Sequence, residues 1–173
     1  MVSAQLMIHD EGREILLGLS SNSLARLIEM LPDEADLGEA YGRLAGHADC
    51  SVRTAVAGKK YLPAAAIHIL ATDPALCVAR ELVTTSEISR QLESDEALAL
   101  CQRDPDLAAS VASRFEDFAL SDSNVINFLE SHPDSQVREA LAGNPFVPKA
   151  VLQRMALRDP DASVRRTAAE ILQ

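Results

Sequence analysis

The 25 residues of His47–Ala71 recur without a gap as His132–Ala156, and this duplication constrains the fold more than any other feature of the sequence. Ten of the 25 aligned positions are identical, and most others exchange similar residues, such as Tyr61 for Phe146. The opening of the segment returns a third time at Asp161–Ala169. Internal self-similarity of this kind is typical of proteins built from stacked structural repeats. The duplication therefore predicts an architecture, but it specifies no activity.

The composition favours helices in this architecture. Apolar residues make up 47% of the 173-residue chain, whereas aromatic residues make up only 3% and tryptophan is absent. Alanine and leucine must therefore fill the interior, and small side chains allow helices to approach closely. The length fits one domain with a sizeable core. We predict a single all-α domain, since no six-residue stretch alternates cleanly enough between apolar and polar residues to predict a strand.

Proline and glycine set the expected ends of the helices. Three Asp-Pro pairs each place a capping aspartate before a proline at the first helical position: Asp73-Pro74, Asp104-Pro105 and Asp159-Pro160. Pro63 and Pro148 should open the second helix of each duplicated segment in the same way, while Gly58 and Gly143 should end the first helix in a left-handed conformation. The predicted helices span residues 3–19, 22–31, 34–46, 50–57, 63–72, 75–84, 86–93, 95–103, 106–115, 122–131, 135–142, 148–158 and 162–172.

The spacing of related positions predicts a repeat unit of about 26–31 residues. Successive units are marked by Val52, Val78, Ala109, Val137 and Val164. Residues 47–173 would then hold degenerate helical repeats. Residues 1–46 do not match the repeat, and we expect them to form an N-terminal helical cap over the apolar end of the stack.

The repeated residues resemble a known family. The pattern Asp-x-x-Val-Arg-x-Ala-[Val/Leu]-Ala at Asp49–Ala57 and Asp134–Ala142, followed by Gly-x-x-[Tyr/Phe]-[Leu/Val]-Pro, is similar to the leucine-rich repeat variant, a relative of HEAT and armadillo repeats. The resemblance covers roughly residues 47–173 and implies a right-handed α-solenoid. Founding members of that family hold an iron–sulfur centre on a cysteine cluster. This chain has no Cys-x-x-Cys, so the resemblance implies no cofactor.

Two columns of charged residues recur with the duplication. The aspartates three residues before Val-Arg are expected helix N-caps: Asp49, Asp134 and Asp161. The arginines four residues further on are candidates for partner binding: Arg53, Arg138 and Arg165. One hypothesis pairs each arginine with an aspartate of the neighbouring repeat and so fixes the geometry between repeats. The other places the arginines on the concave face, where a guanidinium can bind a carboxylate or phosphate in bidentate fashion.

Two further features of the segment are weaker candidates for partner binding. Tyr61 and Phe146 occupy equivalent positions and are expected in the core between repeats, or alternatively as exposed anchors for a partner. Lys59 and Lys60 depart from the duplication and form one of the few local basic spots.

Motifs that carry catalytic chemistry are absent from the sequence. It contains no glycine-rich phosphate loop and no Gly-x-Ser-x-Gly. His47, Asp49, Cys50 and His68 lack the paired spacing of a structural zinc site. The odd number of cysteines, Cys50, Cys77 and Cys101, predicts reduced and buried thiols in a cytoplasmic protein. We therefore expect no metal, no cofactor and no catalysis.

The net charge of −10 bears on the choice of partner. Eleven acidic and three basic residues lie between positions 86 and 134, giving this section a charge of −8 and making it either a solvated face or a docking surface for a basic partner. An acidic chain repels phosphate backbones, so nucleic-acid binding is disfavoured. No apolar run is long enough to span a membrane, and the N-terminus lacks the basic start of a signal peptide.

The leading hypothesis for function is a non-catalytic protein–protein interaction scaffold that uses the concave face of the solenoid. The alternative is a HEAT-like enzyme or nucleic-acid-binding module, similar to DNA glycosylases or bilin lyases, which the charge and the missing motifs disfavour. The sequence leaves the protein partner unidentified. We also expect weak homodimerisation through the C-terminal helix, whose apolar face should be partly uncovered at Val164, Ala168, Ile171 and Leu172.

Overall fold

The computed structural model describes residues 5–10, 13–117 and 123–173 of the chain. These residues form twelve α-helices, two short 3-10 helices and one two-stranded hairpin, so the protein is mostly helical, as predicted. They divide into two compact units, with the boundary between Ile88 and Ser89. None of the helices in the described ranges combines the length and the apolar character that a membrane crossing requires.

The first unit begins with an antiparallel hairpin and continues with helices of one to three turns. Its elements are β1 (Gln5–Asp10), β2 (Arg13–Gly18), α1 (Ser21–Met30), a 3-10 helix (Ala35–Leu37), α2 (Gly38–Leu44), α3 (Cys50–Ala57), α4 (Ala64–Ala71) and α5 (Leu76–Thr84), with the short α6 (Ser86–Ser89) at the boundary. α3 packs against both α1 and α5.

In the described residues of the second unit, all regular secondary-structure elements are helices. Its elements are α7 (Ser94–Arg103), α8 (Pro105–Ser113), a 3-10 helix (Phe115–Asp117), α9 (Ser123–Glu130), α10 (Ser135–Ala142), α11 (Lys149–Arg158) and α12 (Ala162–Ile171). α10 packs against both α8 and α12, the same relation that α3 has to its neighbours in the first unit. Position 122, where one predicted helix began, lies outside the described residues.

The core of each unit is built from equivalent aliphatic positions of the duplicated segment. Val52 and Val137 are buried at the start of α3 and α10, and Val56 and Leu141 are fully buried one turn later. Complete burial of one such side chain stabilises the fold by roughly 1.5–3 kcal/mol. The spacing of four residues places both positions on one helix face, which explains why α3 and α10 match their predicted bounds.

The predicted helix over residues 3–19 is wrong, because residues 5–10 and 13–18 are strands. β1 pairs with β2 from Gln5↔Gly18 to Asp10↔Arg13, so only Glu11 and Gly12 separate the strands. Each strand holds a short apolar run, and periodicity cannot distinguish a strand from a helix over so few residues. The two-residue separation with a glycine was the sequence signal for a hairpin.

Several predicted helix ends also differ from the structure. Gly58 and Gly143 end α3 and α10 with φ of −78° and −80°, so neither uses the left-handed conformation. Pro63 and Pro148 are N-cap residues and not first helical residues. Of the three Asp-Pro pairs, only Asp104-Pro105 opens a helix in the predicted way. Asp73 and Asp159 stabilise a turn in a loop instead, since Oδ1 of each accepts the backbone N–H two residues on.

The apolar face of the C-terminal helix is partly uncovered, as predicted, and only towards its end. Val164 and Ala168 are fully buried, and of the four residues expected on an uncovered face only Ile171 is exposed. Because α12 packs on α10 and α11, its apolar stripe is already largely used within the second unit.

Candidate functional site

The three repeated aspartates are helix N-caps, as the pattern predicts. The side chains of Asp49, Asp134 and Asp161 accept the backbone N–H two residues on, at 2.9, 2.8 and 2.8 Å. At Asp49 and Asp161 a serine follows at that position and also donates its hydroxyl. The backbone bond, followed by the hydroxyl bond, lowers the pKa of both carboxyls.

The two repeated histidines shape the loop before each cap. His47 and His132 are buried, and Nδ1 of each accepts the backbone N–H of Asp49 or Asp134 at 3.1 Å. An accepting Nδ1 places the ring proton of the neutral imidazole on Nε2. Each ring therefore accepts a backbone N–H of the loop through Nδ1 and keeps its Nε2 N–H as a donor for another group.

Arg138 joins this loop to the next one through its whole guanidinium group. Nη1 donates to the carbonyls of His132 and Pro133 at 2.7 and 3.1 Å, while Nε and Nη2 donate to the carboxylate of Asp159 at 2.9 and 3.1 Å. Arg138 is only 7% exposed. The bond to Asp159 raises the pKa of Arg138. Such a bidentate pair, once desolvated, is geometrically rigid.

Arg53 repeats this arrangement in the first unit. Its Nη1 donates to the carbonyls of His47 and Ala48, and its Nε and Nη2 donate to Asp73. Arg53 and Arg138 thus each pair with an aspartate, but the acceptors are the aspartates of two Asp-Pro pairs and not the capping aspartates that the hypothesis considered. Because Arg53 and Arg138 are engaged internally, the geometry favours the structural hypothesis for them over partner binding.

Arg165 makes only half of these contacts. Its Nη1 donates to the carbonyls of Asp159 and Pro160 at 2.7 and 3.0 Å. Among the described residues, no carboxylate lies within ion-pair distance of its guanidinium. Arg165 is thus a natural comparison for Arg138, with the same loop contacts and no buried ion pair.

A cavity lies beside the arginine–aspartate pair in each unit. The cavity next to Arg138 has a volume of about 600 Å³, and the one next to Arg53 has about 320 Å³. Each is lined by the repeated histidine, the repeated arginine and the aspartate that pairs with that arginine. Ala45 and Ile69 line the smaller cavity. Their sequence equivalents in the larger one are Glu130 and Arg154, which form a bidentate pair at 2.6 and 2.9 Å.

Arg158 is a candidate site residue that the sequence pattern does not single out. It ends α11, lines the larger cavity and is exposed. Within the described ranges it has no hydrogen-bond or ionic partner. The sequence does carry a signal for the neighbouring Arg154, because the apolar Ile69 of the first copy becomes Arg154 in the second while the surrounding framework is retained.

The basic spot at Lys59 and Lys60 is mostly internal. Lys59 is buried, its Nζ donates to the carbonyl of Leu31 at 2.7 Å just past α1, and it lies 3.8 Å from Asp33. A cation here complements the negative end of the helix dipole. Lys60 is exposed, with its Nζ 3.6 Å from Glu87. Lys59 is therefore a helix-terminating donor and is not accessible to a partner.

Asn144, the equivalent of Lys59 in the second unit, also donates to a carbonyl at the end of a helix. It is buried, and its Nδ2 donates to the carbonyl of Ser113 at 2.9 Å and to Oε2 of Glu116 at 2.8 Å, at the end of α8. Its Oδ1 accepts the backbone N–H of Phe146 at 2.9 Å. One side chain thus terminates a helix and fixes the turn that carries Phe146.

The aromatic residues of the duplicated turn are exposed, contrary to the expectation that they lie in the core. Tyr61 is 52% exposed and Phe146 is 65% exposed. The alternative hypothesis, an exposed anchor, is therefore the one that the structure allows. In the second unit Leu157 adds another apolar side chain, 79% exposed, on the helix that carries Arg154 and Arg158.

The cysteines differ from one another in accessibility, although all three were expected to be buried. Cys50 and Cys77 are exposed, and only Cys101 is buried. Burial raises the pKa of Cys101 to about 12. No group of three or more histidine, cysteine or carboxylate side chains in the described part of the chain is placed to hold a metal ion.

We expect a thiol reagent to modify Cys50 and Cys77 in the folded protein at mildly alkaline pH and to spare Cys101, because only the thiolate reacts. The measurement is a colorimetric thiol titration before and after addition of denaturant, with Cys101→Ala as the control variant. Reaction of a third thiol in the native wild-type protein would contradict the buried position of Cys101.

No family model matches the chain, and neither the curated proteins nor the solved structures contain a significant match to it.

Proposed function

We propose that the protein is a non-catalytic scaffold for protein–protein interactions, built as a right-handed α-solenoid of repeats similar to the leucine-rich repeat variant. The stacking of alternate helices supports this proposal, since α3 packs between α1 and α5 and α10 packs between α8 and α12. The conserved internal geometry of Arg53–Asp73 and Arg138–Asp159 is what a repeated structural unit requires. Accessible thiols at Cys50 and Cys77 fit a reducing compartment such as the cytoplasm.

The observation that carries the proposal is the paired exposure of Tyr61 and Phe146. A large aromatic side chain left in solvent at one position needs no explanation, but here the same position is exposed in both copies. The turn is also rigid, since Asn144 fixes the backbone of Phe146 and Asp33 accepts the backbone N–H of Lys60. Aromatic side chains are enriched at the centres of protein interfaces, where a rigid anchor loses little conformational entropy on binding.

The proposal is tested by placing a photo-crosslinking phenylalanine analogue at position 146 in cells of the source organism. We expect one discrete crosslinked protein whose yield falls several-fold when Tyr61→Ala is added. Met30, an apolar residue that is 83% exposed and has no equivalent in the duplication, provides the matched control position. Identical products at positions 30 and 146, or none at either, would show that the aromatic turn is not an interface.

A further inference from the structure

The larger cavity, next to Arg138, has the size and the composition of a ligand site. Its volume of about 600 Å³ falls within the range of sites that hold small ligands or short peptide segments. Its wall is formed by the end of α9, the loop before α10 and the last turns of α11. The carboxylates Glu130 and Asp159 face the cavity together with Arg138, Arg154 and Arg158.

The charges in this cavity leave one cation unmatched. Arg138 is bound to Asp159, and Arg154 is bound to Glu130, each through two hydrogen bonds. Arg158 is left with no partner among the residues that the structure describes. A planar guanidinium with both edges available is suited to bidentate binding of a carboxylate.

A buried donor points to the same ligand chemistry. His132 is only 8% exposed and lines the cavity. Its Nδ1 is occupied by the N–H of Asp134, whereas its Nε2 has no partner in the described ranges. No fully buried side-chain nitrogen or oxygen in those ranges lacks a partner, so Nε2 retains some exposure to solvent. It therefore offers an N–H to an incoming acceptor.

Apolar surface borders these donors. Pro133, Met155 and Pro160 line the cavity. Of these three, Pro133 and Pro160 are exposed. A ligand that bears a carboxylate next to an apolar side chain would satisfy both parts of this surface. The cavity at Arg53 lacks the additional cations, since Ile69 stands where Arg154 does.

We infer that the groove formed by His132, Arg154 and Arg158 binds an acidic segment of a partner protein, with a carboxylate on Arg158 and His132. A neighbouring apolar side chain of that segment would pack on Pro133 and Pro160. This inference rests on the proposed scaffold function and narrows the partner to one with an acidic and apolar surface segment. It also assigns different specificities to the two copies, because the cavity in the first unit presents no unmatched cation.

The test is fluorescence anisotropy of a labelled short peptide of alternating glutamate and leucine, with a glutamine–leucine peptide as its neutral counterpart. We expect the wild-type protein to bind the acidic peptide, and Arg158→Glu to weaken binding at least about tenfold by replacing attraction with repulsion. Arg158→Lys should weaken it about threefold, since charge is kept and the bidentate geometry is lost. An NMR shift of the His132 Nε2 resonance on binding should accompany the wild-type titration.

Arg103→Glu is the matched control variant, because Arg103 is also exposed and also ends a helix, α7, without lining the cavity. We expect it to change the affinity by less than about twofold. The inference would be overturned if both peptides bound equally or if the two Glu variants lost the same affinity. It would also be overturned if free glutamate displaced the peptide at comparable concentration, or if no binding were seen below about 1 mM. If crosslinking at position 146 still captures a partner in that case, the scaffold function stands and only the acidic groove is lost.

Discussion

Replacing Arg138 with alanine is expected to lower the free energy of unfolding by about 3–5 kcal/mol, the range for breaking one side of a buried ion pair. The loss follows from what remains, because Asp159 would keep its charge in a buried position and the carbonyls of His132 and Pro133 would lose their donor. Urea unfolding followed by circular dichroism measures the effect, and an unchanged slope would show that the unfolded state is unaffected.

Two controls separate the ion pair from the loop contacts. Arg165→Ala removes the same carbonyl contacts without stranding a carboxylate, so it should cost about 1 kcal/mol. Adding Asp159→Asn to Arg138→Ala should restore part of the lost stability, because the unpaired charge is removed while the bond to the N–H of Asp161 is kept. Equal losses for Arg138→Ala and Arg165→Ala would mean that the buried pair contributes nothing.

Replacing Asn144 with aspartate is expected to lower the free energy of unfolding by about 3 kcal/mol, although the side chain keeps its shape. The amide nitrogen donates to the carbonyl of Ser113 and to the carboxylate of Glu116, and an oxygen in its place would repel both. The bond from Phe146 to Oδ1 would be retained, so the loss would report on the end of α8. Thermal unfolding of the purified variant measures it.

The matched control is Asn127→Asp, which makes the same chemical change on the exposed surface of α9. We expect it to alter stability by no more than about 0.5 kcal/mol. The interpretation of Asn144 as the donor that terminates α8 fails if the two variants unfold at the same temperature.

The parts of the fold that the sequence predicts well are those governed by local chemistry. The caps at Asp49 and Asp134 need only a carboxylate and the amide two residues on, so the pattern alone predicts them correctly. The same holds for α3 and α10, whose apolar spacing is unambiguous. The strands β1 and β2 escape prediction because their apolar runs are too short to reveal a period.

The candidate site depends on contacts that spacing cannot reveal. Asp73 and Asp159 look like helix caps in the sequence, but each folds back over its proline and so presents its carboxylate to an arginine about 20 residues earlier in the chain. Lys59 has the sequence context of a surface charge, but its side chain is buried beside the end of α1. The sequence does not single out Arg158, because its candidacy rests on having no hydrogen-bond or ionic partner within the described residues.

The first unit has Lys59 where the second has Asn144, and this difference bears on the number of acidic residues that the first unit needs. A neutral amide needs only hydrogen-bond acceptors, but a buried ammonium also needs counter-charges, and the cavity around Lys59 is lined by Glu29, Asp33 and Glu81. Some of the acidic residues of this unit are therefore needed to neutralise the buried Lys59. They cannot be replaced to change solubility or partner choice without destabilising the fold. An attempt to neutralise that surface by design would have to begin by exchanging the lysine itself.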